Sequence, residues 1–175
     1  MMNHSRLRKI LFLALMTTVA IVLHFIEGLF PIPIAFPGIK LGLSNVVSLV
    51  VLYLYGPVPA FIIIVLRVFL TSFLYSGFAS VIFSLAGGIL SVAAMTCIWK
   101  LSGRGFGIVG AGVMGGIFHN TGQIIAASVV LGTSTVFSYL PVLLISGTVT
   151  GIATGMLAGI LVPRVKKYIQ YNEVK

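Results

Sequence analysis

The sequence predicts an all-α integral membrane protein with six transmembrane helices and both termini in the cytoplasm. Three observations carry that prediction. Apolar residues make up 59% of the 175-residue chain and charged residues 7%, and the mean hydropathy is +1.19, values outside the range of soluble domains. Several apolar runs approach the ~20 residues that a helix needs to cross a bilayer. Basic residues also gather where a six-span path places the cytoplasm. Arg6, Arg8 and Lys9 precede the first span, Lys100 and Arg104 fall in a central loop, and Arg164, Lys166, Lys167 and Lys175 follow the last span. Only Lys40 and Arg67 fall elsewhere, the distribution expected of the positive-inside rule. The net charge of +9 is therefore read as topology and contact with anionic lipid headgroups, with no nucleic-acid partner.

Residues 1–175 form one transmembrane domain, with spans expected at 9–27, 39–55, 58–76, 79–99, 107–131 and 139–162. The first has the basic start and apolar stretch of a signal peptide. It lacks a small-residue cleavage pattern and continues through His24 and Glu27, so it is expected to be retained. A proline-rich apolar segment, residues 30–38, follows it outside and is expected to fold over the outer mouth. Gly56-Pro57-Val58-Pro59 predicts a tight cytoplasmic turn, Ser76-Gly77 an outer turn and Ser102-Gly103-Arg104-Gly105 an inner one. Span six carries Gly147, Gly151, Gly155 and Gly159 at a spacing of four, a flat face that lets a second helix approach closely. Gly112 and Gly116 make a shorter version on span five. Whether the ladder packs within the chain or on a partner subunit is open.

Polar residues inside the spans are the candidates for function. Arg67 lies within the apolar run 60–74, in a chain without aspartate and with only Glu27 and Glu173 as acids. An arginine at membrane depth costs about 2.5–3.5 kcal/mol on insertion scales and by default marks a functional site. At 1.5 Å per residue it sits about 13 Å from the outer end of span three, with Asn45 about 9 Å and His119 about 18 Å below the outer ends of theirs. His24 and Glu27 share a face, as do His119 and Gln123, with Asn120 beside them. Lys40, Ser44 and Ser48 stack along span two, and Thr71 is one turn from Arg67. One outward-facing pocket lined by spans one, two, three and five would satisfy these groups together. The alternatives are helix–helix hydrogen bonding by His119, Asn120 and Gln123, pairing of Arg67 with Glu27 or helix carbonyls, and a snorkelling Lys40 at the outer edge.

Catalysis and cofactors are not expected. Gly105-Phe106-Gly107-Ile108-Val109-Gly110 matches GxGxxG but opens a membrane helix where the dinucleotide fingerprint needs a strand before it. No Walker A sequence is present. Diphosphate chemistry needs carboxylates to hold magnesium, and the two glutamates fall on opposite sides of the expected membrane. Cys97 is the single cysteine, so neither a disulfide framework nor a thiolate metal site is expected.

Three stretches resemble a known family. They are Pro37-Gly38-Ile39-Lys40-Leu41-Gly42-Leu43-Ser44-Asn45, Leu52-Tyr53-Leu54-Tyr55-Gly56-Pro57, and Leu66-Arg67-Val68-Phe69-Leu70-Thr71-Ser72-Phe73. Together with His119-Asn120 and Gln123 they look like the Gx transporter family, often described as heptaprenyl diphosphate synthase component I. That family is similar to the S components of energy-coupling factor transporters, six-helix proteins that bind vitamins from outside and dock on a separate ATPase module. The resemblance implies an S-component-like bundle and a pocket beneath a loop between early spans. It also implies a docking surface of small residues on span one, here Ala14 and Thr18. The substrate class implied is a small, anionic molecule related to a vitamin, flavin, isoprenoid or quinone, held by Lys40, Asn45, Arg67, His119, Asn120 and Gln123, with His24 and Glu27 at the rim. The alternative is a non-catalytic membrane subunit of a prenyl diphosphate synthase or an extracellular electron-transfer system.

Overall fold

The computed structural model describes residues 4–29, 42–77, 79–102 and 107–173. The expected cap at 30–38, Lys40, and most of the inner turn at 102–105 lie outside those residues. The described chain is helical: α1 (His4–Leu29), α2 (Leu43–Tyr55), α3 (Pro57–Thr71), α4 (Ala79–Lys100), α5 (Ile108–Leu131) and α6 (Leu140–Glu173). A π-helical turn, Ser72–Ser76, extends α3, and a 3-10 turn, Thr135–Tyr139, leads into α6. Segments within α1, α3 with its π turn, α4, and α6 with its leading turn are each long and apolar enough to cross a membrane. Their large apolar side chains, among them Leu11, Phe73, Ile145 and Met156, are exposed around the bundle. In a chain this apolar, such a perimeter faces lipid, and the protein is a multi-pass membrane protein. α5 has the length, at 24 residues, but His119, Asn120 and Gln123 dilute its apolar character.

α2 departs most from the sequence reading. It has 13 residues, about 20 Å at 1.5 Å per residue, well short of the ~30 Å hydrocarbon core. Every residue from Ser44 to Leu52 is buried. Its apolar residues (Val46, Val47, Leu49, Val50, Val51, Leu52) form the main core with Ala20 of α1, Ala60 and Ile63 of α3, Met95 of α4, Ala111 of α5 and Ala158 of α6. Burial on all sides lets apolar residues run almost without a break along α2, with Ser44, Asn45 and Ser48 as its buried polar members. The turn after it is also tighter than expected. Gly56 alone, at φ +87°, reverses the chain, and Pro57 already belongs to the first turn of α3, a position where its missing N–H leaves nothing unsatisfied.

α4, α5 and α6 pack differently. A Cβ on Gly112 would meet the Gly151 carbonyl oxygen at 2.5 Å, one on Gly151 the Gly112 carbonyl oxygen at 2.6 Å, and one on Gly155 the Val109 Cα at 2.5 Å. On the other side of α5, a Cβ on Gly122 would meet the Ala86 carbonyl oxygen at 2.5 Å, and one on Gly87 the His119 carbonyl oxygen at 2.8 Å. The ladder at Gly147, Gly151 and Gly155 therefore closes on α5 of the same chain and is not free for a partner subunit. It relaxes at Gly159, whose nearest neighbour would be the Ile108 side chain at 3.2 Å. α6 then runs beyond the expected end at 162, through Pro163, and carries Arg164, Lys166 and Lys167 on its last turns.

Candidate functional site

The site begins where α1 meets the start of α2. Gly42 precedes α2 in the left-handed conformation, φ +74°, and has no side chain to cap the helix. The first backbone N–H groups of a helix have no partner inside it. Leu43 donates its N–H to Oε1 of Glu27 at 2.8 Å, so a carboxylate sixteen residues back caps α2 and meets the positive end of its dipole. Glu27 is buried despite its charge. The Gly42 carbonyl also accepts the Thr154 hydroxyl from α6 at 3.5 Å, a long contact. Three helices thus meet at this glycine.

One residue further on, Ser44 and Asn45 are buried on the first turn of α2. Arg67, on α3, is 4% exposed and donates from Nη1 to the Ser44 hydroxyl. Thr71, a turn beyond, turns its hydroxyl to the Val68 carbonyl at 3.2 Å. α5 supplies the opposite wall. Asn120 donates from Nδ2 to the Leu143 carbonyl at 2.7 Å and to the Ser146 hydroxyl at 3.4 Å, which fixes the amide against α6. His119 and Gln123 lie on the neighbouring face, their fit to α4 set by Gly87, where a Cβ would meet the Gln123 Cγ at 2.9 Å.

These walls enclose a cleft of about 580 Å³, counting its open mouth, lined by polar groups from all six helices. It brings together His24, Glu27, Asn45, Arg67, His119, Asn120 and Gln123 from the sequence-derived set. Lys40 lies outside the described residues. Gly147, Gly151, Gly155 and Gly159 are not among the lining residues, although Gly116, which packs against Gly147, is. Sequence reasoning missed Ser84 of α4 and Thr150 of α6, which also line it. Serine and threonine in membrane helices commonly bond their own helix carbonyls, as Thr17 does to Leu13 at 2.8 Å and Thr148 to Leu144 at 2.8 Å, so their types alone carry no signal. Among the described residues, the lining offers one guanidinium, one carboxylate, two imidazoles, three amides and several hydroxyls. Among the described residues no three His, Cys, Asp or Glu side chains cluster as metal ligands would.

A family model described as heptaprenyl diphosphate synthase component I matches residues 16–161. Among solved structures, the chain is similar to the S component of a bacterial ECF transporter. The TM-score is 0.70 at 19% identity, over 94% of this chain and 98% of that one. That likeness shows the fold: an ECF S-component bundle. A search of curated proteins gave no match.

Proposed function

The chain belongs to the heptaprenyl diphosphate synthase component I family, and from that premise we propose that it is a membrane-embedded substrate-binding component of the S-component type. The observation that carries the reading is the cleft itself. A buried arginine, a buried glutamate, three amides and two imidazoles converge on one cavity inside an apolar bundle. Polar groups at membrane depth are expensive, and their convergence on one cavity is what a ligand site requires. Arg67 holds an acidic group of the ligand, and Asn45, His119, Asn120 and Gln123 supply hydrogen bonds. His24 and Glu27 stand at the α1 wall, and Lys40 attracts anions at the mouth. The bundle crosses the inner membrane six times with both termini cytoplasmic, α2 completing its crossing inside a jacket of other helices. A separate ATPase module supplies the energy, since the chain has no Walker A sequence. The substrate is a small molecule related to a vitamin, flavin, isoprenoid or quinone.

The chain is read as non-catalytic. Its two carboxylates are committed or distant: Glu27 caps α2, and Glu173 ends α6. The family's description favours a second reading, a non-catalytic membrane subunit of a prenyl diphosphate synthase. In that case the partner surface lies away from the glycine ladder, which α5 occupies.

Native mass spectrometry of the detergent-purified protein tests the first reading. The expected result is a co-purified small molecule that is absent from Arg67→Ala, with the variant still eluting as folded protein. A variant that retains the molecule would remove Arg67 from the site. A protein that is always empty but holds a protein partner would favour the subunit reading.

A further inference from the structure

Resting on the binding-component reading, we propose that Glu27 is a positioning residue, which sets the Arg67 guanidinium in the cleft through the first turn of α2. The residues concerned come from separate helices. Glu27 on α1 accepts the Leu43 N–H at 2.8 Å. Ser44, the next residue along α2, accepts a hydrogen bond from Nη1 of Arg67 on α3. Glu27, Ser44 and Arg67 are 7%, 3% and 4% exposed, and all of them line the cleft. A single peptide link, from Leu43 to Ser44, therefore separates the partner of the carboxylate from the partner of the arginine.

Local chemistry makes the start of α2 depend on that cap. Gly42 has no side chain with which to cap the helix. The Asn45 N–H closes the first turn on the Gly42 carbonyl at 2.9 Å, whereas the Leu43 N–H reaches outside the helix and finds Glu27. Leaving such a donor without an acceptor is costly where water is excluded. Removing the carboxylate loosens the turn, and Ser44 moves with it. Arg67 magnifies the shift, because its donors form one rigid planar fork on a long flexible chain. The Ser44 hydroxyl holds one edge of that fork, and a site side chain recognises its ligand well only when neighbours lock its rotamer. A carboxylate is itself a poor contact for an acid group held by Arg67, so the value of Glu27 to the site lies in the cap.

The purified full chain is compared with Glu27→Ala, Glu27→Gln, Ser44→Ala and Ser44→Thr. Each form is read twice: by native mass spectrometry for the co-purified molecule, and by the rate at which phenylglyoxal modifies Arg67, located by peptide mapping. Glutamine keeps the oxygen that accepts the Leu43 N–H, and threonine keeps the hydroxyl. Glu27→Ala and Ser44→Ala should lose the molecule, an affinity drop of about tenfold or more, the order of one hydrogen bond to a charged group. Arg67 should react several-fold faster in both. Glu27→Gln and Ser44→Thr should recover most of both readouts, and they carry the test with Ser44→Ala if Glu27→Ala fails to fold. Loss of the molecule from Glu27→Gln, with Arg67 reacting at the wild-type rate, would make Glu27 a direct ligand contact and overturn the proposal. So would a Ser44→Ala that binds like wild type. A chain that purifies empty in every form would remove the binding reading. Arg67 reacting at one rate in wild type and variants alike would then remove the positioning as well, and faster reaction in the alanine variants alone would leave it standing.

Discussion

The two halves of the bundle are held together by opposite means. In α1–α3 the helices meet through bulky aliphatic side chains, with Leu49, Leu52, Ile63 and Ile64 fully buried. In α4–α6 they meet through the absence of side chains, backbone against backbone at Gly87, Gly112, Gly122 and Gly151. Lipid tails are as apolar as leucine, so burying aliphatics gives membrane helices little of the driving force it gives in water. The glycine half gains its cohesion from close dispersion contact instead. The halves also divide the site. Both buried charges come from the aliphatic half, and most of the amides and one imidazole come from α5. A ligand in the cleft would touch both.

The first half should therefore fail when its residues are made smaller, and the second when they are made larger. The largest effect is expected for Gly151→Leu. Its new side chain would run into the backbone of Gly112 and Val113, at 2.6 Å already for the Cβ, and backbone cannot step aside. Destabilisation of about 3 kcal/mol or more is expected from overpacking of this kind, read as loss of the monodisperse peak in size-exclusion chromatography. If Gly151→Leu stayed folded and merely lost an associated protein, the seam would belong to a subunit interface and the contrast would break.

Leu49→Ala comes next. Truncating a fully buried leucine costs about 2–5 kcal/mol through lost contacts and the cavity left behind, measurable as a lowered midpoint in detergent unfolding. Asn120→Leu should cost less, about 1 kcal/mol, because it removes the interhelical bond to the Leu143 carbonyl, which keeps the Ser146 hydroxyl of its own helix. The variant should also weaken ligand binding, which Leu49→Ala should leave nearly intact. Phe73→Leu marks the floor. That ring is 77% exposed on the lipid face, and a change within about 0.5 kcal/mol is expected. A large effect there would reveal a partner covering the C-terminal end of α3.

These contrasts were partly legible in the sequence. The four-residue rhythm from Gly147 to Gly159, and Gly112 with Gly116, announced close packing, because only missing side chains let helices approach so near. The identity of the opposing helix was not legible, since a flat face does not encode what lies against it. Arg67, Asn45, His119, Asn120 and Gln123 stood out as polar residues in apolar runs. Ser84 and Thr150 did not, because hydroxyls satisfied by their own helix are ordinary in membranes. The capping role of Glu27 was invisible for another reason: it joins residues sixteen positions apart, across a segment whose path no local pattern sets. The length of α2 was misjudged because apolar residues continue upstream of Gly42, while the left-handed turn there stops the helix.

That short helix has a consequence for biosynthesis. A segment of about 20 Å is too short to span the ~30 Å hydrocarbon core by itself, and α2 is buried on every side by other helices. α2 is synthesised second, yet its surroundings (α3, α4, α5 and α6) do not exist until the ribosome has nearly finished. Its final seat is available only after its successors have arrived. The cleft, lined in part by the first turn of α2 and in part by α5 and α6, is therefore complete only once the last helix is in place.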